Sequence, residues 1–437
     1  MVDSSHFVSW VLPHAASSPK GRRHAWPALP PVVLVGVLAA PWPGFAGQTN
    51  EPPTTARADD ALADCYVLTV IPPVGIAEEN GQALVDLNER GHVLLDALPE
   101  ESAWGEGRVP PSAFVWTGTD AVPIAIEGFW ETRAVEMSDD DSVLVLARED
   151  AESRQRHAAV WRDGEVLAVI AAPDGEYFSA GRINRRGHVA LQAMREDSGW
   201  WGPSRAYLWR DDELTELGEW ELGGFDDDDE VFGFDPAQGE IVKWIDETTV
   251  LSTTCTSPLA AAEVKVSGNG RIAATIECEG ERHAVAWVDG EPRELPTLAG
   301  RDTAVIDVNE RGEILGEVVD EAVANVPVLW RDGVLIELPV PPSRYDGSYR
   351  DINEAGATVG AFTLEPPSFG SEEFHFFVAD DDQVQKLPYP EPMQQFFGVE
   401  ARLNDRGDIV ASGDHEGYDR RTLHWRPCED GPDETSP

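Results

Sequence analysis

Self-similarity constrains this chain more than any other feature. Seven times a short turn, Asn-x-x-Gly in its clearest form, is followed by a strand that ends in tryptophan or its stand-in. The full turns begin at Asn88, Asn184, Asn309, Asn353 and Asn404, and looser copies begin at Ser138 and Ser267. The strands end at Trp116, Trp161, Trp209, Trp287, Trp330 and Trp425, with Ala379 in the sixth unit. A unit repeated at this period cannot bury its own apolar faces and must stack on its neighbours.

One unit reads as two hairpins. In the fifth, an apolar β-branched run at 304–308 enters the turn at Asn309, and 313–319 leaves it. Asn suits the first turn position and Gly the positive φ at its end. The run 326–330 then reaches Asp332-Gly333 and 334–338, and Asp-Gly between apolar runs is a strong hairpin signal. Two hairpins make a four-stranded antiparallel blade. Successive tryptophan positions lie 45, 48, 78, 43, 49 and 46 residues apart, so all but one interval fits one blade. The expected fold is all-β, a single seven-bladed β-propeller at 64–428. The long interval, with its acidic run at 226–229 and apolar pieces at 241–244 and 249–252, reads as an insertion at about 219–260. A decayed eighth blade is the alternative. Asp246 precedes Ser267 by only 21 residues, which favours the insertion.

The two chain ends show how the ring closes. The last unit has a third strand at 421–425 and no fourth, while the strand at 65–71 precedes the first unit without a partner. Pairing them completes the last blade and sets Cys65 beside Cys428. The other two cysteines, Cys255 and Cys278, then form the second disulfide, as an exported chain with four cysteines permits.

The N-terminal segment supports export. Lys20, Arg22 and Arg23 precede an apolar run at 31–40, and Gly44 and Ala46 have signal-peptidase spacing. We read 1–46 as a signal peptide, 47–63 as a flexible linker and 429–437 as an acidic tail. The run is too short to span a bilayer; Arg22-Arg23 leaves the general and twin-arginine routes both open. A net charge of -47 repels nucleic acid and anionic lipid. The expected protein is therefore secreted or periplasmic, able to associate with the cell surface, monomeric, and bound to an extracellular protein or glycan.

The repeated residues resemble the HAF-repeat family of bacterial extracellular proteins. Ile183-Asn184 and Ile352-Asn353 match its Ile-Asn-x-x-Gly turn, and His157-Ala158 and His283-Ala284 match its His-Ala-Phe-x-Trp strand, while His375-Phe376 departs at the second residue. The resemblance covers roughly 76–426. It implies a secreted propeller-like protein and transfers no catalytic residues.

Candidate chemistry is sparse. His157, Arg205, His283, His375 and Arg421 stand four places before the tryptophan position and begin equivalent strands. They form a candidate ring on one face of the disc, although a repeated His more often holds a neighbouring loop. Acidic loops at 139–141, 226–229 and 380–382 offer oxygens to calcium, but lack the glycine of a calcium loop and read more simply as solvated turns. No cofactor is otherwise implied. No nucleophile elbow, phosphate loop or HExxH pair is present. Loops of unequal length, with Trp200-Trp201 and the stretch 366–370, suit a ligand surface. The expected function is a non-enzymatic binding or scaffold module. The alternative is a glycan hydrolase or lyase with carboxylates in the central channel, which buried carboxylates of raised pKa at the channel mouth would favour.

Overall fold

The asparagine that opens each full turn does two jobs, and these organise much of the fold. The Asn88 side-chain oxygen accepts from the backbone N–H of Arg90 (3.1 Å) and His92 (3.0 Å), which shapes the hairpin. Gly91 completes the turn at φ 76°, where a Cβ would be strained. The Asn88 amide then donates to the carbonyl of Ser138 in the next blade and to Asp141 Oδ1. Equivalent amides run from Asn184 to the Asp226 carbonyl, Asn309 to Asn353, and Asn353 to Asn404. Asn404 donates to the Asn88 carbonyl at 3.0 Å and so joins the last blade to the first.

A computed structural model describes residues 65–74, 82–97, 112–197, 203–255, 257–319, 325–342, 346–363, 373–389, 393–394, 399–415 and 419–428. Among them every helix or strand element is a strand. The strands form eight antiparallel four-stranded blades, at 82–124, 131–170, 176–218, 221–251, 261–294, 303–337, 346–386, and 400–427 with 66–71. A two-residue strand, Met393–Gln394, bridges the seventh and eighth blades. The first strands of successive blades touch one another all the way round and surround the central channel.

The expected seven blades are therefore eight. The stretch read as an insertion is blade 4, with strands Glu221–Phe225, Val231–Asp235, Glu240–Trp244 and Thr248–Leu251. Its turn is Asp226-Asp227-Asp228-Asp229. Asp226 accepts from the N–H of Asp228 and Glu230 as the asparagines do, and Asp229 takes the glycine position at φ 67°. Trp244 occupies the tryptophan place, paired with Val231 as Trp116 is with Val93. Its strands are short, three of five residues and one of four.

Ring closure is as the chain ends indicated. Tyr66–Ile71 pairs antiparallel with the last strand, Leu68 opposite Trp425. Cys65 and Cys428 form a disulfide with Cα atoms 5.5 Å apart. Cys255–Cys278 ties the end of blade 4 to blade 5. The core lies between blades: Trp330 and Trp425 are almost wholly buried, and Trp116, Trp161 and Trp287 nearly so. The segments read as signal peptide, linker and acidic tail lie outside the described residues.

Candidate functional site

In a propeller the first-strand turns rim one end of the channel. The residue after each turn's first position is Glu89, Asp139, Arg185, Asp227, Gly268, Glu310, Glu354 and Asp405 in blades 1 to 8. Six carboxylates and one guanidinium therefore ring this mouth. Most of these carboxylates receive a backbone N–H from the same position one blade earlier: Glu89 N to Asp139 (3.1 Å), Arg185 N to Asp227 (2.9 Å), Glu354 N to Asp405 (2.6 Å) and Asp405 N to Glu89 (3.0 Å). The turns thus hold the acids in place.

Arg185 is the only basic member. Its guanidinium reaches Asp139 (2.8 Å), Asp227 (3.4 Å) and Glu310 (2.9 Å), from blades 2, 4 and 6. Contact with both flanking blades and with one three blades away sets it over the channel. In the arc of blades 7, 8 and 1, Glu354, Asp405 and Glu89 make no ion pair among the described residues. Burial, together with Asp405 and Asp139 nearby, pushes Glu89 up to about 7. Burial likewise raises Glu354, with Asp405 and Glu310 adding to it.

One step deeper lies a second tier, two residues before each turn: Asp86, Glu136, Arg182, Gly224, Lys265, Asp307, Asp351 and Arg402. Arg402 of blade 8 interacts with Asp351, Asp86 and Asp307 of blades 7, 1 and 6, so these side chains converge. Burial raises Asp86 and Glu136, and lifts Asp351 well above the usual carboxyl range, with Asp307 hydrogen-bonded to it. Buried carboxylates of raised pKa are thus present. They are also clamps: Asp86 accepts from Met137 N, Glu136 from Ile183 N and Asp351 from Leu403 N, each in the next blade. In blade 4 the glycines let the next blade pack close, since a Cβ on Gly224 would strike Val266. A cleft of about 240 Å³ opens there between Arg182 and Lys265.

The candidates read from the sequence lie elsewhere. His157, Arg205, His283, His375 and Arg421 are on third strands, away from the channel and at the end opposite the turns. His157 Nδ1 accepts from Ala172 N, Arg205 pairs with Glu176 and Glu219, and His283 meets Glu294 at 3.1 Å. Burial, then Lys386, lowers His375; Arg421 is half-buried. The structure does not bring them together as one site. Trp200, Trp201 and 366–370 lie outside the described residues. Among the described residues no three His, Cys, Asp or Glu side chains are grouped to hold a metal ion. Of the three acidic loops, 139–141 and 226–229 serve as first-strand turns.

No family model matches the chain, and no curated protein matches it in sequence. Solved structures of similar architecture include virginiamycin B lyase from Staphylococcus aureus, 10% identical, covering 83% of this chain and 99% of that one with a TM-score of 0.40. Another is the β-propeller domain of the Trilobed protease from Pyrococcus furiosus, at 11% identity, 72% and 99% coverage and a TM-score of 0.45. The C-terminal WD40 domain of Sif2 is 14% identical, with 78% and 91% coverage and a TM-score of 0.44.

Proposed function

We propose that the protein is a secreted, non-catalytic binding module whose channel mouth receives a cationic group from a basic protein partner. The observation that carries this reading is Arg185. The chain's own guanidinium sits across three carboxylates of the mouth, while Glu354, Asp405 and Glu89 have no such partner. A ligand arginine or lysine placed there meets charge-assisted acceptors already fixed by the turns, and so needs little reorganisation of the protein. The two disulfides and the resemblance to HAF-repeat proteins support the secreted setting.

The test is titration of a short arginine-containing peptide at physiological salt, where long-range attraction is screened beyond about 8 Å. Glu354→Gln with Asp405→Asn should weaken binding at least about tenfold, as for loss of charge-assisted contacts. Glu149→Gln with Glu165→Gln removes the same charge from exposed positions and should leave binding unchanged. Equal weakening by both pairs would reduce the effect to net charge and end the proposal.

The hydrogen-bonded Asp307–Asp351 pair favours a second reading, a glycan hydrolase or lyase with Asp351 as a protonated acid. Turnover of any glycan by the wild type that is abolished in Asp351→Asn would replace the first reading.

A further inference from the structure

Where blade 8 meets blade 1, a cleft of about 470 Å³ opens between Arg90, Thr117, Arg406, Asp408 and Arg426. Arg90 is paired with Asp141 and Arg406 with Asp408. Arg426 is exposed and makes no ion pair or hydrogen bond among the described residues.

The repeat itself shows what Arg426 lacks. Arg331 stands one residue after Trp330, as Arg426 stands one after Trp425. Arg331 binds the carboxylate of Asp381 in the following blade, two residues past the tryptophan position. The corresponding residue facing Arg426 is Gly118. A Cβ built on Gly118 would lie 2.6 Å from Arg426 Nη2, so the guanidinium reaches the same place and meets no carboxylate. The seam is also short of polar partners further in. His424 lies one step inward on the same face of its strand, fully buried, with neither ring nitrogen hydrogen-bonded among the described residues. Trp116 Nε1 and Thr422 Oγ1 are likewise buried without partners. Trp287, Trp330 and Trp425 instead donate to carbonyls of the blade before them. Buried polar groups without partners are uncommon and call for an explanation.

We propose that this cleft is a second binding site, for a ligand carboxylate that takes the place Asp381 holds one seam earlier, with Arg426 as its principal contact. Arg406 also borders the cleft, with its charge offset by Asp408. The site is separate from the channel mouth, and either proposal stands if the other fails.

The experiment is calorimetric titration of the full chain with acetate, with D-glucuronate, and with a short peptide ending in a free carboxylate. D-glucose and the amidated peptide serve as uncharged counterparts. The wild type should bind the carboxylates and not the counterparts, and the tighter of glucuronate and peptide identifies the source of the group. Arg426→Ala, at an exposed position, should weaken binding at least about tenfold, the scale of a lost bidentate contact. Gly118→Asp supplies the missing carboxylate from within and should abolish binding while the chain still unfolds cooperatively, at a somewhat lower melting temperature because Gly118 lies at φ 97°. No carboxylate binding by the wild type, or equal binding by Arg426→Ala, would overturn the proposal.

Discussion

The seam between blades 6 and 7 and the seam between blades 8 and 1 are built from the same parts and finished differently. At the first, Arg331 ties Glu313 of its own blade to Asp381 of the next, and Asn309 donates to the Asn353 carbonyl. At the second, the asparagine bond is kept through Asn404 and Asn88, but Arg426 has no carboxylate and His424 no partner. The disulfide and the borrowed strand lie within blade 8, where they join the two chain ends rather than bridge the seam. The comparison separates what both seams keep, the asparagine bond from turn to turn, from what differs between them.

Because Cys65–Cys428 fastens the two chain ends within blade 8, its loss should cost more than loss of the local Cys255–Cys278 bond. Replacing Cys65 and Cys428 by serine opens a loop spanning 363 residues and should destabilise by about 6 kcal/mol, against about 3 kcal/mol for Cys255 and Cys278 on the loop-entropy account. Denaturant unfolding of the two variants checks the order; equal costs would mean that blade 8 stays closed without its bond. Next in size is Trp330→Ala, expected to cost about 3–5 kcal/mol. Trp116→Ala at the closing seam should cost about 1 kcal/mol less, because its indole N–H has no bond to lose.

The pH dependence sharpens the same contrast. Burial, then Arg426, pushes His424 down to about 4, whereas the unfolded chain takes up that proton below about 6.5. Between these values the unfolded state binds more protons, so stability falls as pH is lowered from about 6.5 to about 4, by on the order of 3 kcal/mol. Asp96 and Glu89, both raised to about 7 by burial, act with opposite sign over an overlapping window. The readout is therefore the difference between wild type and His424→Leu, which should lose this slope. A difference independent of pH would show that His424 is not held neutral. The smallest effect belongs to Asn404→Asp, which keeps the acceptor but removes the donor to blade 1. It should cost about 1–2 kcal/mol, and Asn309→Asp should cost the same if the turn bond is equally needed at both seams.

Much of this was legible in the sequence. The Asn-x-x-Gly turns, the buried tryptophans and the cysteine at each chain end follow from local chemistry and from the need to close the ring. Blade 4 was hidden because Asp226 reproduces the acceptor half of asparagine and lacks its amide, while Asp229 takes a conformation usually left to glycine. In compensation, the backbone N–H of Asp227 donates to the Gly268 carbonyl at 2.9 Å. The channel mouth was hidden for another reason. Glu89, Glu354 and Asp405 look like solvated turn residues one at a time, and only closure of eight units brings them to a common rim. Reading the residue after each recognised turn start as a column would have exposed five of the six acids and the arginine. The His and Arg ring drew attention by repetition, yet it sits on third strands, where repetition serves each blade separately.

The most direct test of the cation-binding mouth is proton release. Glu89, raised to about 7, is partly protonated at neutral pH, and a cation bound beside it would lower that value and expel the proton. Titration of the arginine-containing peptide at pH 7, in two buffers of different ionisation heat, measures the protons released. The account predicts net release in the wild type and its disappearance in Glu89→Gln. Binding with no proton release, or with the same release in Glu89→Gln, would contradict it.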